Sequence, residues 1–491
     1  MKNLLRSAAL CLCVFCLSLC ALAQSSTRPR VLVLTDIEAD PDDAQSMVRF
    51  LAYANEFDIE GLIATTSTHQ RIRVVPESLH QLVDAYGQVQ PNLARHADGF
   101  PTAKALKGMI KQGLPRYGME GVGEGQDSEG SDWIIRVLEK LDARPVYVAV
   151  WGGVNCLAQA LWKIQHTKSK AQARTLYQKL RVYTISDQDD AGPWIRKTFP
   201  DVFYIVSPGS YRHATWVGIT GFIPEAQQEV NSNAWLEEHI QQGHGPLGAA
   251  YPDVAYGMEG DTPSFLGLIP NGLNDPEHPN YGGWGGRYEL YTPAYEAPAT
   301  APQPGRTQGG AMVTGPEAGP ETRPIWTNAD DTYTPLRSSP WGRPVVADTI
   351  TYTSPQVTLW RWLEDFQHDF AARMDWMVMD YAEANHPPVP RLTHPDVLQV
   401  KSGEIFSLNA TGTTDPDGDG LSYYWFQYPE VGTYKGLVSL APFSPNLANL
   451  HTVVAPEVTS KQTLHFILKV TDKGTPALTR YKRVIVEVSP R

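Results

Sequence analysis

The sequence predicts an α/β protein, an open and mostly parallel sheet with helices on both faces, followed by a C-terminal β-sandwich. Three observations predict it. Apolar runs alternate with amphipathic ones from Arg30 to about residue 206, a proline-rich break stands at His386-Pro387-Pro388-Val389-Pro390, and only β-type patterning follows that break.

Val31-Leu32-Val33-Leu34 is a short apolar run of the kind that forms a buried strand. Ala44 to Tyr53 places Met47, Val48 and Leu51 on one helical side, and Ile59 to Thr65 reads as the next strand. That is a βαβ opening. Val146 to Val150 with a helix over Leu157 to Trp162, and Leu180 to Ile185 with a helix reaching Trp194, repeat it. Phe203 to Val206 adds a strand. Residues 290–350 are rich in Pro, Gly, Thr and Ala without a trustworthy period, and read as an irregular excursion or lid. A helix is then expected from about Pro355 to Ala384, carrying Leu359, Leu363, Phe366, Phe370 and Met374 at helical spacing. The prolines end it and make a stiff linker. The expected units are thus residues 28–385 and 391–491, the second with strands at Ile405 to Leu408, Leu421 to Phe426, Thr463 to Val470 and Tyr481 to Val488.

Residues 1–23 carry Lys2 and Arg6, then an uncharged apolar run closing in Ala21-Leu22-Ala23, the pattern of a cleaved signal peptide. Secretion or a periplasmic location is expected, with no membrane attachment after cleavage. Four of the five cysteines lie in that leader, so the exported chain keeps only Cys156 and relies on its core rather than on disulfides. The formal charge of −12 disfavours nucleic acid as a partner. With 13 Trp and 22 Tyr there is ample aromatic surface for stacking on sugars, although a chain of 491 residues also needs such side chains for packing.

The most informative segment is Thr35-Asp36-Ile37-Glu38-Ala39-Asp40-Pro41-Asp42-Asp43, which puts five carboxylates into eight residues between the first strand and the first helix. A helix N-terminus favours one or two acids. Five, left unpaired and partly buried, repel one another by a few kcal/mol, so the segment calls for a cation, and all-oxygen donors favour a hard ion, Ca²⁺ above Mg²⁺. The segment lies at the carboxyl end of a strand, where open α/β sheets bind ligands.

These residues resemble the nucleoside hydrolases, which open on strand, Asp-x-Asp-Pro-Gly-x-Asp-Asp, helix. Asp36, Glu38, Asp42 and Asp43 keep that spacing. The Asp-Ile-Glu-x-Asp-Pro-Asp-Asp form, the run Asn55 to Thr66 and Gly282-Gly283-Trp284-Gly285-Gly286-Arg287-Tyr288 are similar to secreted, cellulose-binding-type proteins that join a nucleoside-hydrolase-like domain to a C-terminal immunoglobulin-like sandwich. The resemblance implies Ca²⁺ held by Asp36, Glu38, Asp43, a main-chain carbonyl at Asn155 and Asp261, with Asp253 as the alternative to Asp261. It also implies that Asp42 holds sugar hydroxyls. Asp415-Pro416-Asp417-Gly418-Asp419-Gly420 resembles the turn of polycystic-kidney-disease and cadherin-like modules, either a second place for calcium or a solvated turn.

The chain departs from the hydrolase pattern twice. Ala39-Asp40 replaces Pro-Gly, which leaves the general base open between Glu38 and Asp40, with Asp42 beside them. Gly260-Asp261 replaces His-Asp, which removes one candidate acid for the leaving group. Asp187, in Ser186-Asp187-Gln188-Asp189-Asp190, is a further candidate for the same pocket, with helix capping as the equal alternative. Trp284, Arg287 and His244 are candidate rim residues, or parts of glycine-rich turns that serve backbone geometry alone. No zinc spacing and no Gly-x-Ser-x-Gly elbow is present. The expected activity is Ca²⁺-dependent, metal-assisted hydrolysis of an N- or O-glycosidic bond on a nucleoside or cell-wall carbohydrate. The alternative is a non-catalytic carbohydrate-binding protein using the same pocket.

Overall fold

The computed structural model describes residues 28–209, 211–294, 319–338, 344–346, 350–442 and 448–491, so the expected signal peptide lies outside the described residues. Eight strands form the main sheet: β1 (Arg30–Thr35), β2 (Asp58–Ala64), β3 (Ile110–Gln112), β4 (Val146–Val150), β5 (Leu180–Thr184), β6 (Phe203–Val206), β7 (Tyr288–Tyr291) and β8 (Ile325–Asn328). Their order is β3-β2-β1-β4-β5-β6-β8-β7, parallel throughout except for β7, which runs antiparallel to β8. Val31 to Leu34 are fully buried because helices cover both faces of the sheet. One face packs on the helices Pro41–Ala52, Pro76–His96 and Leu363–Asp375, the other on Glu129–Glu139, Asn155–Thr167 and Ala191–Thr198.

The chain winds from β1 outward through β2 to β3, then returns across β1 to β4. That reversal makes a crevice at the carboxyl ends of β1 and β4, the topological switch point of this sheet.

Three expectations change. The excursion at 290–350 is not uniformly irregular, since Ile325–Asn328 enters the main sheet as β8 and Asp331–Tyr333 pairs with Tyr352–Ser354; its tip, 295–318, lies outside the described residues. The helix expected over 355–384 is two pieces, Val357–Trp360 and Leu363–Asp375, with turns beyond. The break falls where Arg361 lies over the Tyr428 ring at 4.6 Å and reaches Asp331 at 2.9 Å, contacts that draw the backbone toward the C-terminal strands. Finally, the proline segment is docked rather than a free spacer: the His386 N–H donates to Asp417 at 2.7 Å and Asn385 donates to Asp472 at 3.2 Å. Asp417 of the acidic turn is thereby used to hold the junction.

The C-terminal residues form a four-stranded sheet (Val397–Lys401, Thr479–Ser489, Gln462–Thr471, Ser422–Gln427) and a three-stranded one (Ile405–Asn409, Leu450–Val454, Ala441–Pro442). Leu408, Trp425, Val453, Phe466 and Val486 fill the core between them. This unit is tied to the α/β part by buried charge: Arg480 to Asp369 at 2.5 Å, the Tyr428 hydroxyl to Asp331 at 2.5 Å, and Arg483 to the carbonyls of Leu273 and Gly282 at 2.8 and 2.9 Å. Trp284 and Arg287, candidates either for a pocket rim or for a structural turn, belong to this junction. Trp284 is fully buried with its indole N–H toward the Tyr481 hydroxyl at 3.4 Å, and Arg287 pairs with Asp331 at 2.7 Å. The glycines around them serve close packing against the sandwich: a Cβ at Gly282 would stand 2.5 Å from the Tyr428 hydroxyl oxygen.

His465 sits in the same junction, 2% exposed, its ring edge-on to Tyr281 at 4.7 Å and near Arg483. Burial first, then the Arg483 charge, lowers its pKa from 6.5 to about 3. The folded state therefore favours the neutral ring, and that contribution is complete above pH 6.5 and is lost as pH falls from there toward 3. Stability is expected to drop over this window by up to about 1.4 kcal/mol per pH unit. His465→Gln should flatten the drop in Tm measured from pH 7 to 4; an unchanged slope would remove His465 as its cause.

Candidate functional site

Asp36 leaves the end of β1 into the switch-point crevice and is 3% exposed. Five residues later Pro41 starts the helix Pro41–Ala52, with Asp40 as its N-cap accepting the Asp42 N–H at 3.2 Å. Proline at the first position and acids in the first turn suit a helix start, so local physics alone brings Asp42 and Asp43 back toward Asp36. Carboxylate oxygens of Asp40, Asp42 and Asp43 lie within 4.8 Å of one another. Asp43 is buried and accepts the Thr35 hydroxyl; Asp42 accepts the Gly260 N–H at 3.2 Å.

Asp261 arrives from a distant loop and is 2% exposed. That loop is fixed by its neighbour Glu259, fully buried at a φ of +49°, whose carboxylate takes the Arg49 guanidinium at 2.5 and 2.9 Å, the Tyr251 hydroxyl at 2.7 Å and the Thr262 hydroxyl at 2.8 Å. Because Arg49 belongs to the helix that Asp40 caps, one ion pair locks the two acidic segments together.

Burial first, and then mutual repulsion, raises these acids. Asp36 is pushed up to about 6; Asp42, Asp43 and Asp261 stand well above the carboxylate range, each raised further by its acidic neighbours. Among the described residues, Asp36, Asp40, Asp42, Asp43 and Asp261 make no salt bridge to Lys, Arg or His. Asp261 Oδ2 and Asn155 Oδ1 are buried with no protein partner. Buried carboxylates without a compensating charge are costly, and the oxygen-only donor set suits a hard divalent cation.

Position by position, the structure brings Asp36, Asp40, Asp42, Asp43 and Asp261 together. Glu38 is turned out. It is exposed, at a φ of +78°, and its carboxylate accepts the Ser78 hydroxyl at 2.6 Å. A non-glycine residue at such an angle costs about 1–3 kcal/mol and persists only where its surroundings enforce it. Asp253 receives Gln241 at 3.0 Å and stands apart from the acids. Asn155 donates its N–H to Asp189 at 3.0 Å and its side-chain amide to the Arg116 carbonyl at 2.7 Å. Asp187 is consumed by Arg196 in two bonds of 2.8 Å, and His244 faces Asp375 at 3.1 Å. From the same segment as Asp187, Asp189 is the one that joins the crevice floor, buried and pushed up to about 7 by desolvation.

Two participants were not among the predicted site residues. Gly152, at the end of β4, lies so close that any Cβ would strike the Asp36 carboxylate. Gly152→Ala is expected to cost about 1–3 kcal/mol by overpacking and to weaken cation binding together, whereas Gly108→Ala, in open space, should leave both unchanged; thermal melts and calorimetry on the pair check this. The other is Trp216, half-buried, with its indole N–H on Ser186 Oγ at 3.0 Å and Tyr211 edge-on at 5.2 Å. A Cβ on Gly260 would fall 3.1 Å from the Trp216 ring and 2.7 Å from Asp42 Oδ2. The absence of a side chain at 260 is what lets the aromatic wall stand beside Asp42.

The model of the cellulose-binding Sde182 nucleoside hydrolase-like domain matches residues 30–288, and that of the cellulose-binding protein Sde0182 C-terminal domain matches 405–488. The chain belongs to the Sde182 family. A nucleoside hydrolase-related hypothetical protein from Saccharophagus degradans, described as associated with carbohydrate metabolism, is 36% identical to this chain and superposes with a TM-score of 0.75, covering 94% of this chain and 100% of that one. The effector protein XOO4466 (10% identity, TM-score 0.32, covering 62% and 88%) and mouse protocadherin PcdhgC3 domains (15%, 0.15, covering 23% and 36%) resemble this chain too loosely to carry an argument. No curated protein matches it. Among the described residues, no helix is long and apolar enough to cross a membrane.

Proposed function

We propose that this Sde182-family protein is an exported, Ca²⁺-dependent hydrolase of glycosidic bonds, acting on a sugar derived from cell-wall polysaccharide. The observation that supports this most is the group of buried carboxylates at the switch point, unpaired by any basic side chain among the described residues, where Asp261 Oδ2 also has no partner. Asp36, Asp43 and Asp261 would hold the cation; Glu38, turned outward, leaves that set. When bound, the ion supplies a fixed point for sugar hydroxyls and Lewis-acid polarisation.

The protein's own groups do the rest. Asp40 is half-buried, belongs to the carboxylate group and borders an open cavity, so it reaches solvent and is the general base in place of Glu38. Asp42, positioned by the Gly260 N–H, accepts a sugar hydroxyl. The surrounding carboxylates stabilise the positive charge that develops on the sugar ring. Trp216, held by Ser186, offers an aromatic face to the departing group.

A second reading, a carbohydrate-binding protein without turnover, is favoured by one observation: beside Asp261 stands Gly260, with no side chain to protonate a leaving group. Hydrolysis assays in Ca²⁺ over nucleosides, aryl pentosides and cell-wall oligosaccharides, wild type beside Asp40→Asn, separate the two. The hydrolase predicts turnover that falls roughly 10²- to 10⁴-fold in kcat with little change in KM. Sugar binding without turnover on any substrate selects the binder.

A further inference from the structure

The cavity that Asp40 borders extends well beyond what access of solvent to that carboxylate requires. This open cavity of about 500 Å³ runs from Asp40 along the start of the helix Pro76–His96 and is closed on its far side by Ala250 and Pro252. That volume is in the range of small-molecule sites. Its polar lining is Glu38, Asp40, Ser78 and Gln81, and its apolar lining includes Ala44 and Pro252; it contains no lysine, arginine or aromatic residue. Such a surface offers hydrogen-bond acceptors and donors alternating with small apolar patches. Two of its lining side chains, Glu38 and Asp40, are carboxylates that repel a phosphate, and no lining residue offers a ring on which to stack a base. Sugar rings, with hydroxyl edges and C–H faces, match it.

Glu38 is the conspicuous member. Its backbone is held in the left-handed region, its carbonyl receives Arg73 at 3.1 Å and its carboxylate receives Ser78 at 2.6 Å, which together aim the acid into the cavity and away from Asp36. Strain of this kind, kept by surrounding bonds, points to a working role for the residue. Trp216 stands beside Asp42 and is not part of the groove's lining, whereas Asp40 belongs to both the carboxylate group and the groove. The groove therefore opens directly from the acidic centre.

We infer that this groove is a second sugar subsite, with Glu38, Ser78 and Gln81 as its hydroxyl partners, so that the ligand extends from the acidic centre into the groove by at least one further sugar unit. The inference rests on the proposed carbohydrate site and adds the direction in which the ligand extends.

Calorimetry with β-1,4-linked gluco-oligosaccharides of one to four units, in Ca²⁺, tests it on wild type, Glu38→Gln and Gln81→Ala. Affinity should rise at least tenfold with an added unit and then level off, and both variants should lose that increment. Glu38→Gly should lose it too while melting at a higher temperature than wild type, which separates lost recognition from lost folding. Affinity independent of length, or variants that keep the increment, overturns the subsite. A Ca²⁺ titration of the same samples tells the two readings apart: length-dependent binding without Ca²⁺ uptake removes the metal-dependent function and leaves the groove, and Ca²⁺ uptake without a length effect does the reverse.

Discussion

Asp43→Asn is expected to move the melting temperature in opposite directions depending on calcium. In EDTA the wild type carries mutually repelling buried acids, and neutralising one relieves that repulsion while the new amide oxygen still accepts the Thr35 hydroxyl. The variant should then melt higher than wild type. With Ca²⁺ at 100 times its dissociation constant the wild type gains about 2.7 kcal/mol from binding, and the variant, missing a ligand, should gain little. The two melting curves must cross. Parallel shifts in both buffers would mean that Asp43 is an ordinary core residue.

The second large effect concerns the pair that holds the site together. Arg49→Leu leaves Glu259 buried and uncompensated, with both side chains at 0% exposure in the native protein. Removing one partner of such a pair costs about 3–5 kcal/mol. It should also weaken cation binding, because the loop carrying Asp261 loses its anchor to the helix carrying Asp42 and Asp43. Denaturant unfolding of Arg49→Leu beside Arg49→Leu/Glu259→Leu is the check. The double variant should recover much of the stability, since two apolar residues of similar volume replace the charges. Equal destabilisation of both would show that the contact of the Arg49 guanidinium with the Phe370 ring, 3.9 Å from its centroid, matters more than its pairing with Glu259.

How far these residues could be read in advance follows from how local their causes are. The βαβ opening and the grouping of Asp36, Asp42 and Asp43 were legible because a buried parallel strand is an uninterrupted apolar run and because proline and acids mark a helix start. Asp261 was reachable through resemblance alone, as its approach depends on Glu259 and Arg49 meeting across more than 200 residues. Glu38 misled because spacing says nothing about φ; one residue in the left-handed region sends its carboxylate out and gives its place to Asp40. Trp284 and Arg287 stayed open between a pocket rim and a structural turn for a different reason. The glycine-rich pattern announces a tight turn but not what the turn packs on, which here is Tyr428 and Tyr481 of the C-terminal sheets. Strand β8 is four residues, Ile-Trp-Thr-Asn, too short for alternation to stand out within a Pro- and Gly-rich region. In the acidic run after β5, Asp187 was the candidate, but Arg196 of the following helix takes its carboxylate, a pairing that spacing alone does not announce.

Whether the switch-point carboxylates bind a divalent cation in the place where a sugar is held is tested most directly by calorimetric titration of the EDTA-stripped protein with Ca²⁺, wild type beside Asp261→Asn. Saturable binding is expected in the wild type, with the loss of one equivalent in the variant at unchanged secondary structure. Binding of the same stoichiometry and affinity in both proteins, or none in either, would contradict a cation site at these carboxylates.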